Sequence, residues 1–145
     1  MKKKTYFIEG AVKPEFVSES IAKHSSKTNI GAHCIFLGQV RADVLENIPV
    51  EGIEYSAYTE MAEAEFEKIN EYAFATYSDL TCLHIKHSLG MVKAGEISLF
   101  VFASAGHRIQ AFEAIEDIVN RIKAQVPIWK KEILPGKGHV WTENK

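Results

Sequence analysis

The chain has 145 residues, enough for one domain with a buried core that needs no staples and too few for two domains of ordinary size. Its 46% hydrophobic and 25% charged residues exclude disordered, collagen-like and coiled-coil classes. Against 19 Asp and Glu, 17 Lys and Arg leave a formal charge of −2, the wrong sign for a general nucleic-acid binder, so any anion site must be a local gathering of cations.

Lys2, Lys3 and Lys4 precede Tyr6-Phe7-Ile8-Glu9 without the apolar stretch of a secretory signal, and no apolar run reaches membrane-spanning length. Cys34 and Cys82 each lie within an apolar segment and read as buried, reduced thiols, which points to the cytoplasm. Residues 5–12 predict a short strand, and Pro14 the first turn of a short helix with Phe16, Val17 and Ile21 as its buried stripe. Past the polar connection 25–29, Ile30 to Val40 predicts a buried strand ending at Arg41, with Gly31 and Gly38 marking close backbone approach or a bulge.

Residues 42–49 read as a loop and Val50 to Tyr58 as a strand. From Thr59 the period changes: Ala62, Phe66, Ile69, Ala73 and Thr76 recur on one helical face. Leu80 to Ser88 and Glu96 to Ala105 predict two strands joined through residues 89–95, the second apolar enough to be central in a sheet. A last helix is expected over Ile109 to Gln125, with Phe112, Ile115, Val119, Ile122 and Val126 facing inward, and Pro127 ends it because its ring would clash with the Lys123 carbonyl. The rest, from Ile128, reads as a short extended piece and a tail; residues 1–145 form a single domain.

Of 17 basic residues only three are arginines, and two of these, Arg41 and Arg108, fall at ends of predicted strands. A guanidinium offers a planar fork of donors suited to phosphate or carboxylate, although a snorkelling strand-end Arg accounts for the placement equally well. His107 and Arg108 follow Gly106 and open the last helix, where free N–H groups and the helix dipole favour an anion; an ordinary strand-to-helix turn is the competing explanation. From Ile118 to Lys131 the bases Arg121, Lys123, Lys130 and Lys131 follow Ile118 with no acid among them. Pro127 redirects the chain and Trp129 implies partial burial, which would bring Lys130 near Lys123 and depress a lysine pKa by mutual repulsion. His84 and His87, three apart on a strand, point to opposite faces, so a metal between them is disfavoured.

Five stretches carry a resemblance: 31–41 (Gly-Ala-His-Cys-Ile-Phe-Leu-Gly-Gln-Val-Arg), 53–62 (Ile-Glu-Tyr-Ser-Ala-Tyr-Thr-Glu-Met-Ala), Gly95-Glu96 with the following strand, His107-Arg-Ile-Gln-Ala-Phe112, and Lys123-Ala-Gln-Val-Pro-Ile-Trp-Lys-Lys-Glu132. Together they make the chain similar to the MoaE family, the large subunits of molybdopterin synthase. The resemblance implies an α+β fold of the hammerhead kind with an added antiparallel β subdomain. It also implies a sulfurtransferase that turns cyclic pyranopterin monophosphate into molybdopterin by installing a dithiolene. Its sulfur arrives as a thiocarboxylate on the C-terminal glycine of a small ubiquitin-like partner. A homodimer with one small subunit at each end is implied, and no metal or cofactor.

By motif, Lys123 and Lys130 match the family's catalytic lysines, and Arg41, His107 and Arg108 its pterin-phosphate pocket, with Arg41 reaching in from a neighbouring protomer; Lys131 is a further candidate for the partner's tail carboxylate. Ser88 departs from a position often occupied by Arg. Outside this class, the alternatives are a non-catalytic scaffold for a ubiquitin-like partner and a simple binder of phosphorylated metabolites; the pair Lys123 and Lys130 favours the enzyme.

Overall fold

The structure, a computed structural model, describes residues 5–136 and 138–142; Lys2, Lys3 and Lys4 lie outside them. Strand β1 (Phe7–Glu9) leads to helix α1 (Pro14–His24), where Pro14 occupies the first turn and sacrifices no hydrogen bond. Strand β2 (Ala32–Gln39), a small hairpin of β3 (Val44–Leu45) and β4 (Ile48–Pro49), and β5 (Gly52–Ser56) precede helix α2 (Thr59–Thr76). Strands β6 (Leu80–Lys93) and β7 (Ile97–Ala105), helix α3 (Arg108–Gln125), and strands β8 (Trp129–Leu134) and β9 (Gly138–Thr142) complete the order.

Seven strands make one sheet, β2-β7-β6-β5-β8-β9 with β1 parallel to β6, so the fold is α+β. Strand β6 holds two halves together. Its first part pairs with β7 (Ile85↔Val101), and its last part with β5 (Ile53↔Val92), which carries β8 and β9 as an antiparallel extension. One face is covered by α2 and α3, whose Phe66, Ile69, Ile118 and Ile122 bury against Leu83, Ile85, Leu99 and Val101. On the other face α1 lays Phe16 and Val17 over Phe100, Phe102 and Val12. Hence odd and even positions of β6 face different helices, as the two-residue period requires.

The α2 stripe matches the sequence pattern except at Thr76, which is exposed. Helix α3 is rotated from expectation. Its buried residues are Ala111, Ala114, Ile118 and Ile122, while Phe112 is 61% exposed and Ile115 and Val119 are only partly covered. Small alanines let α3 approach the sheet closely, and the bulkier stripe is left at the helix flank. Ile21 of α1 is likewise exposed. Strand β2 is an edge strand of half-covered residues rather than a buried one, because only β7 pairs with it. The expected loop 42–49 contains the β3–β4 hairpin, turned by Glu46 and Asn47 with φ of 52° and 65°, the conformation that suits a two-residue hairpin. Residues 89–93, expected as a connection, continue β6 through Gly90 at φ 82°. The stretch from Ile128 is a β8–β9 hairpin rather than one extended piece and a tail.

Candidate active site

Three separate segments supply one cavity of about 310 Å³: the end of β2 with Arg41, the last turn of α3 with Lys123, and β8 with Lys130 and Glu132. Buried Val126 and Ile128 flank Pro127 and pin the turn between α3 and β8, which returns the chain alongside its own helix end. Strand β5 fixes the register: Tyr55 lies opposite Lys130 and Ile53 opposite Glu132, and all four side chains line the cavity. From β6 and β7 come His87, Ser98 and Leu99.

Burial first, then the charges of Lys130 and Arg41, hold the Lys123 amine below the ordinary lysine pKa. The expected convergence of the two lysines is therefore present, with a guanidinium as third cation. Arg41 is 82% exposed and weakly paired with Asp43 at 3.4 Å, so it is free to turn toward a ligand. His87 is 3% exposed, and burial, aided by Lys123 and Lys130, pushes its pKa down to about 4 against the opposing hydrogen bond it donates to the Ser88 carbonyl. It is neutral at pH 7: Nδ1–H donates to the Ser88 carbonyl at 2.8 Å, which leaves Nε2 as the ring's lone-pair nitrogen. The Tyr55 ring stands edge-on to His87 at 5.0 Å, and its hydroxyl donates to Ser98 Oγ at 3.0 Å. A partly buried lysine of lowered pKa, a second lysine, an exposed guanidinium and a neutral imidazole make a site with the chemistry to hold an anion and move protons.

Other candidates sit elsewhere. His107 and Arg108 begin α3, fifteen residues before Lys123, about 22 Å away at 1.5 Å per residue, and neither lines the cavity. The N–H groups expected to be free there are partly engaged by a protein carboxylate. Asp79 Oδ2 accepts from His107 N–H at 2.7 Å and lies 3.1 Å from its Nδ1, while Gln110 Oε1 accepts from Asp79 N–H at 2.8 Å. Gly31 is required beside this turn, since an added Cβ would run into the Gly106 carbonyl oxygen. The groups left exposed at this end are thus the His107 imidazole and the Arg108 guanidinium.

Lys131 faces away from the cavity, as the alternation along β8 demands, and pairs with Glu54 at 3.1 Å beside the Trp141 ring at 5.4 Å. Trp129, expected to be partly buried, is 46% exposed and stands edge-on to Tyr58 in an apolar surface hollow with Trp141. Arg121 is structural: it donates to Asp117 at 2.8 Å and lies 3.5 Å over the Tyr72 ring. Ser88 is fully buried and points away from His87's face, so this position brings no contact to the cavity. Sequence reasoning passed over Tyr55, Ser98 and Glu132, and weighed His87 only as a metal ligand with His84. Only Glu132 carried a readable signal, standing two residues from Lys130 on one strand face.

The protein-family model described as MoaE protein matches residues 12–125. A protein named molybdopterin synthase catalytic subunit from Oryza sativa subsp. indica is 44% identical over 115 residues, 79% of this chain and 58% of that protein. Its namesake from Pyrococcus abyssi is 41% identical over 127 residues, 88% of this chain and 83% of that protein. The chain therefore spans a little over half of the rice relative, and 33% of a similar protein from Drosophila pseudoobscura pseudoobscura. Among solved structures, molybdopterin synthase from Staphylococcus aureus matches with a TM-score of 0.83 at 28% identity, covering 98% of both chains. The complex of subunits 1 and 2 of molybdopterin-converting factor from Helicobacter pylori matches with a TM-score of 0.81 at 26% identity, covering 97% of this chain and 91% of that one.

Proposed function

This chain belongs to the MoaE family, and from that premise we propose that it is the catalytic subunit of a molybdopterin synthase. It takes sulfur from the C-terminal thiocarboxylate of a small ubiquitin-like partner and adds it to cyclic pyranopterin monophosphate. The observation that carries this reading is the meeting of Lys123, Lys130 and Arg41 in one cavity beside neutral His87. In each transfer the thiocarboxylate sulfur bonds to a carbon of the pterin side chain as that carbon's bond to oxygen breaks, the oxygen leaving as water or remaining on the opened phosphate ester. The acyl–sulfur bond then breaks by attack of water, directly or after transient capture by the Lys123 amine, and leaves a carboxylate on the partner.

Lys123 moves the proton, a task its lowered pKa suits, because a larger fraction of the amine is neutral near pH 7. Lys130 stabilises the negative charge that develops on the attacked carbon framework. Arg41 reaches the phosphate from the rim, and His107 with Arg108 completes the phosphate site from a second copy of the chain, since the length of α3 keeps them from their own protomer's cavity. This reverses the expectation that Arg41 is the residue lent across the dimer. Lys131, on the hollow side with Trp141, takes the partner rather than the pterin. In this reading residues 1–145 work as one unit and the reaction is cytoplasmic, which the free thiols of Cys34 and Cys82 support. No helix among the described residues is long and apolar enough to cross a membrane.

The purified chain, mixed with thiocarboxylated partner and the cyclic pterin, is expected to yield dithiolene, and Lys123→Ala to lose that turnover while still binding the partner. Unchanged turnover in Lys123→Ala would remove the catalytic assignment.

A further inference from the structure

On the sheet face opposite the cavity, under the last turn of α1, three metal-ligating side chains meet: His24, Cys82 and His84, with their donor atoms all within 4.8 Å of one another. Topology brings them together. Cys82 and His84 are two apart on β6 and share its α1 face, and His24 is the only residue that α1 buries fully. A helix whose deepest anchor is an imidazole rather than an aliphatic side chain calls for an explanation. Strand alternation sets His84 and His87 on opposite faces, and the fold places His84 beside His24.

The donors are already oriented. His24 Nδ1–H donates to the Ser20 carbonyl at 2.7 Å, which fixes the tautomer and leaves Nε2 as a lone pair aimed at His84 Nε2, 3.0 Å away. Two imidazole nitrogens bound tetrahedrally to one zinc ion lie about 3.3 Å apart, given Zn–N bonds of about 2.0–2.1 Å, so the observed spacing is already close; His84 Nε2–H, which donates to His24 Nε2 without metal, gives up that proton as the ion binds. Lys27 Nζ donates to Cys82 Sγ at 3.2 Å, the kind of outer hydrogen bond that a metal-bound thiolate accepts. His84 is exposed and gives an ion its way in, while the Phe102 ring, 4.7 Å from that of His24, walls the inner side.

We propose that His24 Nε2, His84 Nε2 and Cys82 Sγ bind one zinc ion that clips the end of α1 to β6, with water at the fourth position. Two nitrogens and one thiolate match the borderline-soft preference of zinc and disfavour magnesium or calcium, which require oxygen. The clip is remote from sulfur transfer and stands or falls apart from it.

Cobalt(II) is the test, because a thiolate bound to it gives a near-ultraviolet charge-transfer band and tetrahedral coordination gives visible ligand-field bands. The full chain, freed of metal with a chelator, should develop both bands to saturation at one equivalent and lose them when zinc is added. Cys82→Ser should abolish the charge-transfer band, His84→Gln should weaken binding by at least about tenfold, and Cys34→Ser should change nothing. Zinc should raise the Tm of the parent chain and not that of Cys82→Ser. These variants spare buried His24, and far-ultraviolet circular dichroism of each should match that of the parent chain. A missing charge-transfer band, or one lost in Cys34→Ser and kept in Cys82→Ser, would overturn the proposal and leave His24 and His84 as an ordinary nitrogen-to-nitrogen hydrogen bond.

Discussion

Mixed dimers give the most decisive test of how the site is assembled. Arg108 and Lys123 open and close the same 18-residue helix, and fifteen steps of 1.5 Å separate their backbones by about 22 Å. Side chains stand off a helix mainly sideways, so extension shortens that gap little. One phosphorylated pterin cannot be gripped by both residues of one protomer inside the cavity beside Lys123. Lys123→Ala and Arg108→Ala homodimers should each be nearly inactive. When the two variants are co-expressed with different affinity tags and the doubly tagged dimer is isolated, one of its two sites is intact, built from Lys123 of one chain and Arg108 of the other. Its dithiolene turnover should be about half that of the parent dimer. A doubly tagged dimer no more active than the two homodimers would refute the shared site.

The cavity also makes two predictions about pH. His87 titrates near 4 when folded and near 6.5 when unfolded; between those values the unfolded chain takes up a proton that the native one refuses, so stability falls as pH drops through this window, by up to about 3 kcal/mol. Urea unfolding of the parent and His87→Gln should diverge from pH 7 to pH 4, with the variant showing the shallower slope; parallel slopes would rule His87 out as the source. Lys130→Gln removes the second-largest cause of the lowered Lys123 pKa, so the pH profile for acylation of Lys123, followed by peptide mass spectrometry, should move to higher pH, and an unmoved profile would mean that burial acts alone.

Features governed by neighbours in sequence were legible; those set by distant packing were not. The α2 stripe could be read because Ala62, Phe66, Ile69 and Ala73 all meet the same core. Pro127 marked the end of α3, and the turn it makes is what brings Lys130 back to Lys123. On α3 the bulky residues misled: Ala111 and Ala114 take the sheet side, and nothing local in Phe112 or Ile115 announces that they lie at the flank. Tyr55 gave no signal, and His87 only that of a disfavoured metal ligand, because each joins the cavity through strand pairing. The separation of His107 and Arg108 from the lysines, by contrast, follows from the length of one helix and was available in the residue numbers alone.

Adjacent Lys130 and Lys131 lead opposite lives because β8 meets β5 in a single alignment, Tyr55 against Lys130 and Glu54 against Lys131. Adding or removing one uncharged residue between Val126 and Trp129 would trade their places while leaving net charge untouched. This short span should therefore accept side-chain replacement far more readily than any change in its length, because a slip of one residue would also turn buried Glu132 and Leu134 to the other face of the strand.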